Sequence, residues 1–319
     1  KSKEYAGGFY EKSFKEYFYR HNYIVNPRGN RNFNLYRQGC FDGYTNVVSR
    51  EETGKNSMEY KKDYDDLVKN YDLEKFEIED KNLDHKIPAI LAKKEGNKDI
   101  AVLVHGMGGT KETVSPIMKT FLDLGYDTIA YDQRNSGENM ADYNTSGILE
   151  SKDTRAVIDY IKAKYQNGKL ILWGESYGGL TSIIAAEKDE TNIDYLILES
   201  PVSNGFDMIE NVMKHISKKQ GIPLGYMIKA GDLYSKAKLG LSFSDMDGSE
   251  YMKNIEIPVL ISHSNVDKVT PPYMAEDLYA AKADDKKELI TVENYKHASF
   301  PYKDREGYKK ILEEFLEKY

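Results

Sequence analysis

The stretch Leu170-Ile171-Leu172-Trp173-Gly174-Glu175-Ser176-Tyr177-Gly178-Gly179 decides how this chain folds. Its first four residues suit a strand buried on both faces, and Tyr177–Glu187 reads as the helix that follows. A serine between strand and helix must make a very tight turn to present its hydroxyl at the sheet edge. Gly174 and Gly178, two positions to either side, let the helix backbone pass close to the strand. A plain turn serine is the bland alternative, but at a strand-to-helix junction the pattern points to a nucleophile.

The same alternation runs outward in both directions. Phe76–Glu79 and Ile87–Ala92 read as a starting pair of strands, and Ile100–Val104 as a continuous apolar strand. A helix over Lys111–Leu124 ends at Gly125, followed by the strand Thr128–Tyr131. Ser151 is the predicted N-cap of a helix through Lys164, with Val157, Ile158 and Ile161 on its inner face. Beyond the serine come the strands Tyr195–Leu198, Val259–Ile261 and Leu289–Val292, with helices at Met274–Ala281 and Tyr308–Lys318. This alternation implies right-handed crossovers and a mostly parallel α/β sheet with helices on both faces. Chemistry in such a sheet belongs just after the carboxyl ends of its strands.

Serine needs a base held beside it. Of six histidines, His263 and His297 follow strands late in the chain. His297, in Asn294-Tyr295-Lys296-His297-Ala298-Ser299, is the candidate base; a surface histidine is the alternative. The base in turn needs a carboxylate to hold its tautomer. Asp267, in Ser262-His263-Ser264-Asn265-Val266-Asp267, is the candidate, Glu199 after Tyr195–Leu198 its rival, and His263 reads as a loop residue. The order Ser, Asp, His is the one found on nucleophile-elbow sheets of this kind. After Ile100–Val104 comes His105-Gly106-Met107-Gly108-Gly109, whose glycines let the backbone fold back toward a reacting carbonyl oxygen. The expected oxyanion donors are the backbone N–H groups of Met107 and Tyr177, with His105 structural.

Together with Tyr131-Asp132-Gln133-Arg134-Asn135-Ser136-Gly137, which is similar to an Asp-x-Arg-x-x-Gly loop, these motifs make residues 73–319 resemble the alpha/beta-hydrolase superfamily. The resemblance implies the alpha/beta-hydrolase fold and a serine esterase mechanism without metal or cofactor, with Asp132 and Arg134 organising loops. The segment Tyr251–Pro272, with Lys296–Ser299, resembles a bacterial branch related to carboxylesterase and acyl-peptidase domains. Many members of that branch carry an N-terminal membrane anchor before a polar stretch, and to that extent the resemblance implies an anchor ahead of Lys1. The absent initiator methionine is equally met by a tag scar or a removed targeting segment. Tyr177 stands where many relatives have Met or His, which bears on access to the acyl pocket. Ser264 stands where many have Gly.

Residues 203–253 interrupt the alternation where this fold usually places its lid. Phe206, Ile209, Met213 and Ile216 share one helical face there, and Pro223–Ile228 adds a second apolar cluster. The face packs on the domain, and part of it is expected to line the pocket for an apolar acyl or leaving group. Residues 1–72 read as an N-terminal extension packing on a core supplied by 73–319. A short helix is expected around Tyr10–Tyr19, with Phe14 and Phe18 on its apolar face, then a loop over Asn26–Thr53 and a helix over Tyr60–Tyr71.

Bulk properties remove other classes. A net charge of -7 argues against non-specific nucleic-acid binding, and no run of eighteen apolar residues exists in the chain. The single cysteine, Cys40, excludes an internal disulfide and any multi-cysteine metal site. The loop after Ile100–Val104 fails the dinucleotide fingerprint at Lys111, and Gly109-Thr110-Lys111-Glu112 fails the P-loop. No His-Glu-x-x-His helix exists. The expected partner is a small-molecule ester or acyl substrate. A peptidase, acyl-peptidase or thioesterase with the same triad, and a non-catalytic binder on the same fold, are the rival readings.

Overall fold

Strands apolar at every position must be covered on both sides, and that requirement shapes the molecule. The computed structural model describes residues 41–319, without the side chains of Val212, His215, Ile216, Lys219 and Gln220. The expected helix at Tyr10–Tyr19, the start of the Asn26–Thr53 loop and the Ile216 side chain lie outside it. Eight strands form one sheet: β1 (Asp72–Ile78), β2 (Ile87–Lys93), β3 (Asp99–Val104), β4 (Tyr126–Tyr131), β5 (Leu170–Glu175), β6 (Tyr195–Glu199), β7 (Val259–Ser264) and β8 (Lys287–Val292). Their order is β1-β2-β4-β3-β5-β6-β7-β8. The β1–β2 and β2–β4 pairs are antiparallel, and every later pair is parallel.

Side chains two apart share a face, so each strand feeds two cores. Ile100, Val102 and Val104 of β3 enter a cluster with Val157, Ile158 and Ile161, which lie on α4 (Glu150–Lys164). Ile183 of α5 (Tyr177–Lys188) and Leu278 of α9 (Tyr273–Ala281) join the same side. Ala101 and Leu103 enter the opposite cluster, with Ile117 and Phe121 of α3 (Ser115–Asp123) and Leu312 and Phe315 of α11 (Arg305–Lys318). Truncating any one of these large aliphatic residues to Ala costs about 2–5 kcal/mol.

Between β6 and β7 lie α6 (Gly205–Gln220), α7 (Leu224–Leu239), a 3-10 turn at Phe243–Met246 and α8 (Gly248–Met252). Ile209, Met213, Met227 and Phe243 form a third cluster there with Leu180 and Ile184 of α5. Phe41 and Tyr44 belong to it as well.

Several local expectations are corrected. Within Asn26–Thr53, residues 41–45 are helical and α1 (Arg50–Ser57) begins at Arg50. Ser49 caps it, its hydroxyl accepting the N–H of Glu52 at 3.2 Å. The Ser49-Arg50-Glu51-Glu52 spacing of a capping box carried that signal, but α1 has almost no apolar face, so periodicity missed it. The helix expected over Tyr60–Tyr71 is a 3-10 turn at Met58–Tyr60 followed by α2 (Lys61–Asn70). Ser151 is not an N-cap, because α4 starts one residue earlier. Buried Glu150 satisfies the entering backbone instead, accepting from the N–H groups of Thr145 (2.8 Å) and Gly147 (3.1 Å). The helix expected from Lys111 starts at Ser115, since Asp132 holds both the backbone N–H (2.9 Å) and the Nζ (2.7 Å) of Lys111. His263 is not a loop residue; it lies within β7.

Candidate active site

The turn after β5 is strained. Ser176 has φ 54° and ψ -119°, a conformation that a non-glycine residue adopts only when its surroundings impose it. A Cβ on Gly178 would run into the carbonyl oxygens of Val104 and His105, and one on Gly174 into the Gly178 carbonyl. The glycines thus set how closely α5 approaches β3 and β5. The N–H of Ser176 donates to the Glu199 carbonyl at 2.9 Å, and its own carbonyl accepts from Val202 at 3.2 Å. Ser200 (φ 46°) and Ala298 (φ 47°), at the same sheet edge, also lie in the left-handed region.

The geometry brings three predicted residues together. The Ser176 Oγ lies 2.8 Å from the His297 Nε2, and the His297 Nδ1 lies 2.7 Å from the Asp267 Oδ2. The second oxygen of Asp267 accepts from the N–H groups of Val269 (2.8 Å) and Thr270 (3.2 Å). Burial raises the Asp267 pKa, but the hydrogen bond and charge of His297 and the Val269 N–H outweigh it and hold the carboxyl below its ordinary value. Glu199, the rival acid, behaves otherwise. Burial pushes it up to about 8, with the neighbouring charges of Glu175 and Asp267 adding to the rise. Its Oε1 accepts from Ser200 Oγ at 3.0 Å, and the nearby Ser262 and Ser200 hydroxyls offset only part of the rise.

Two supporting contacts are not expected from the sequence, where Ser264 stands only as a departure from the family pattern. Thr270 Oγ1 lies 3.1 Å from Asp267 Oδ2 and 3.2 Å from His297 Nδ1, bracing the pair. Ser264 donates to the Tyr295 carbonyl at 2.6 Å and so ties the acid loop to the histidine loop. Neither has a motif of its own, since both act across loops far apart in sequence.

Beside the serine, the loop after β3 makes a tight turn, closed by the Gly109 N–H on the Gly106 carbonyl at 3.1 Å. The Nδ1 of His105 also donates to that carbonyl, at 2.8 Å, while its Nε2 accepts the Gln133 N–H at 3.1 Å. In a trans peptide the N–H points opposite the carbonyl, so these bonds fix the direction of the Met107 N–H. Full burial drives the His105 pKa down to about 4, which keeps the imidazole neutral and able to accept. Tyr177, the other expected donor, opens α5 directly after the serine. Its side chain is buried, close enough to the Glu150 carboxyl to lower that group's pKa, so it is packed inside the protein.

Of the residues expected to line a pocket, Ile209 and Met213 are enclosed within the third cluster. Phe206 is half-buried at its edge, stacked on Phe243 with centroids 5.4 Å apart. Asp132 and Arg134 are structural: Asp132 holds Lys111, and the Nε of Arg134 pairs with buried Asp153 at 3.1 Å.

Comparison with known proteins agrees with this architecture. A family model described as the alpha/beta hydrolase fold matches residues 101–233. An uncharacterised protein of Bacillus subtilis, YqkD, is 28% identical over 218 residues, which is 68% of this chain and 70% of that protein. The lysophosphatidylserine lipase ABHD12 of Rattus norvegicus is 27% identical over 264 residues, 73% of this chain and 63% of the lipase. The chain thus spans less than two thirds of the lipase. Among solved structures, the esterase Pf2001 of Pyrococcus furiosus superposes with TM-score 0.64 at 21% identity, over 80% of this chain and 95% of the esterase.

Proposed function

We propose that this chain, whose residues 101–233 match the alpha/beta-hydrolase fold, is a serine hydrolase of that superfamily that cleaves a carboxylic ester through an acyl-enzyme. One observation carries this reading: a serine in a strained strand-to-helix turn, 2.8 Å from an imidazole that is itself 2.7 Å from a buried carboxylate. Backbone strain at the serine, with its hydroxyl on a paired base, fits a nucleophile held ready to react.

In this mechanism Ser176 Oγ attacks the ester carbonyl carbon as His297 Nε2 takes its proton. The carbonyl oxygen becomes an oxyanion, met by the N–H groups of Met107 and Tyr177. When the tetrahedral intermediate collapses, His297 protonates the departing alkoxide and the acyl group stays on Ser176. Water, deprotonated by His297, then attacks that acyl group, and the proton returns to Ser176 as the acid leaves. Asp267 holds the His297 tautomer and stabilises the imidazolium throughout. The 203–253 insertion serves as a lid, with Phe206 at the pocket edge and Ile209 and Met213 supporting it from behind. Residues 41–72, the described part of the N-terminal extension, pack on the 73–319 domain.

The test is hydrolysis of p-nitrophenyl acetate, butyrate and octanoate by the protein and by Ser176→Ala. Turnover should vanish in the variant, and a fluorophosphonate should label Ser176 alone. Equal rates from the two proteins would remove the serine mechanism. Labelling without ester turnover would redirect the reading to a peptide or thioester substrate.

A further inference from the structure

The part of the oxyanion loop that carries the Met107 N–H is gripped from outside its own domain. Asn56, near the end of α1 in the N-terminal segment, donates its Nδ2 to the Gly108 carbonyl at 2.9 Å. Gly108 has φ +83°, and the atoms nearest the place where its Cβ would sit are Asn56 Nδ2 and the two methyl carbons of Val48. One side of the loop therefore rests on residues 48 and 56, far from it in sequence.

A second connection approaches from below. The Gly106 N–H donates to Glu175 Oε1 at 3.2 Å, and the Tyr302 hydroxyl donates to Glu175 Oε2 at 2.8 Å. Tyr302 lies five residues after His297, in α10 (Phe300–Lys303), and its ring meets Tyr60 edge-on at 5.9 Å. The segment 48–60 thus reaches the loop twice, directly through Asn56 and indirectly through Tyr60, Tyr302 and Glu175.

Resting on the serine-hydrolase reading, we propose that Asn56 is a positioning residue for the oxyanion hole, and that the N-terminal segment is part of the catalytic apparatus. The physical reason is reorganisation. A turn containing Gly106, Gly108 and Gly109 has many accessible conformations, and an N–H donor stabilises a developing oxyanion well only when it is already aimed. Donation from Asn56 removes the freedom of the Gly108–Gly109 peptide next to Met107. The effect should therefore fall on the transition state, where the oxyanion exists, and spare ground-state binding.

The experiment compares Asn56→Ala, Asn56→Asp and the control Lys55→Ala, an exposed residue on the same helix that pairs with Glu51. Each is assayed for kcat and KM on p-nitrophenyl butyrate, for inhibition by a trifluoromethyl ketone transition-state analogue, and for Tm. Asn56→Ala should lower kcat about tenfold, with KM held within about twofold and the analogue weakened by the same factor as kcat. Asn56→Asp, which sets an acceptor against the Gly108 carbonyl in nearly the same shape, should lose more, while Lys55→Ala should match the parent. A kcat within about twofold of the parent in both Asn56 variants overturns the proposal, as does a loss that appears equally in Lys55→Ala. Should Asn56→Ala fold poorly, the isosteric Asp variant still decides. If the parent protein neither hydrolyses the esters nor takes a fluorophosphonate on Ser176, the hydrolase reading falls and this proposal with it. Parent turnover with indifferent Asn56 variants removes this proposal alone.

Discussion

Asp267→Asn would keep the shape of the acid but offer the His297 Nδ1 an amide, favouring the wrong imidazole tautomer. On the proposed mechanism kcat should fall by up to about four orders of magnitude. Glu199→Gln should leave kcat near the parent value, because the His297 ring is bonded to Asp267. The two values, measured side by side on p-nitrophenyl butyrate, would reverse if Glu199 were the acid. Gly178→Ala is a steric test at the same scale. Its methyl would strike the Val104 and His105 carbonyls, and neither backbone can retreat without opening the sheet. We expect a loss of about 3 kcal/mol in urea unfolding, with activity falling as the turn is displaced.

The loop between β3 and α3 depends on a neutral histidine. His105 donates from Nδ1 and accepts at Nε2, so a second proton on the ring would break the bond from Gln133. Its folded pKa, about 4, lies below the ordinary histidine value of 6.5. The unfolded chain therefore binds the extra proton first as pH falls. The stability His105 contributes is complete above about pH 6.5 and is lost progressively toward pH 4. Urea unfolding at pH 7 and pH 5 should differ by about 2 kcal/mol from this group. His105→Gln should flatten that part of the profile, and an unchanged slope would remove the assignment. α1 illustrates the other kind of element, one made by capping and by contact with the loops and not by an apolar stripe. Periodicity could not find it, whereas Ser49 and Glu52 could have.

Across the whole molecule, burying a carboxyl under the sheet edge works against the histidine. Glu199, at about 8 when folded and 4.5 ordinarily, takes up a proton on folding at intermediate pH. Its contribution is complete below about pH 4.5 and is lost as pH rises through 8. Glu199→Gln should accordingly raise Tm over the parent at pH 8, with the gain disappearing near pH 4. A constant difference across that range would mean that Glu199 does not change protonation on folding. The molecule as a whole should be most stable between these two limbs. Among the described residues, no helix is long and apolar enough to cross a membrane.

The sheet and the site neighbourhood were legible in the sequence because their signals are local. A short apolar run such as Ile100–Val104, bounded by glycines and charged residues, suits a strand covered on both faces, and Gly174 and Gly178 announce a tight turn by what they lack. Chain order set His263 aside because it precedes Asp267, but it left both Asp267 and Glu199 standing, since each follows a strand and lies between Ser176 and His297. Only the tertiary structure could decide which carboxylate meets His297, since that depends on where two loops end up across β7 and β8. The same holds for Thr270, Ser264 and Asn56. Each is an ordinary polar residue whose partner lies on another loop, and a hydrogen bond between distant residues leaves no periodicity, spacing or composition to read. The sequence determines which backbone can form; the packed sheet decides which side chains share a space.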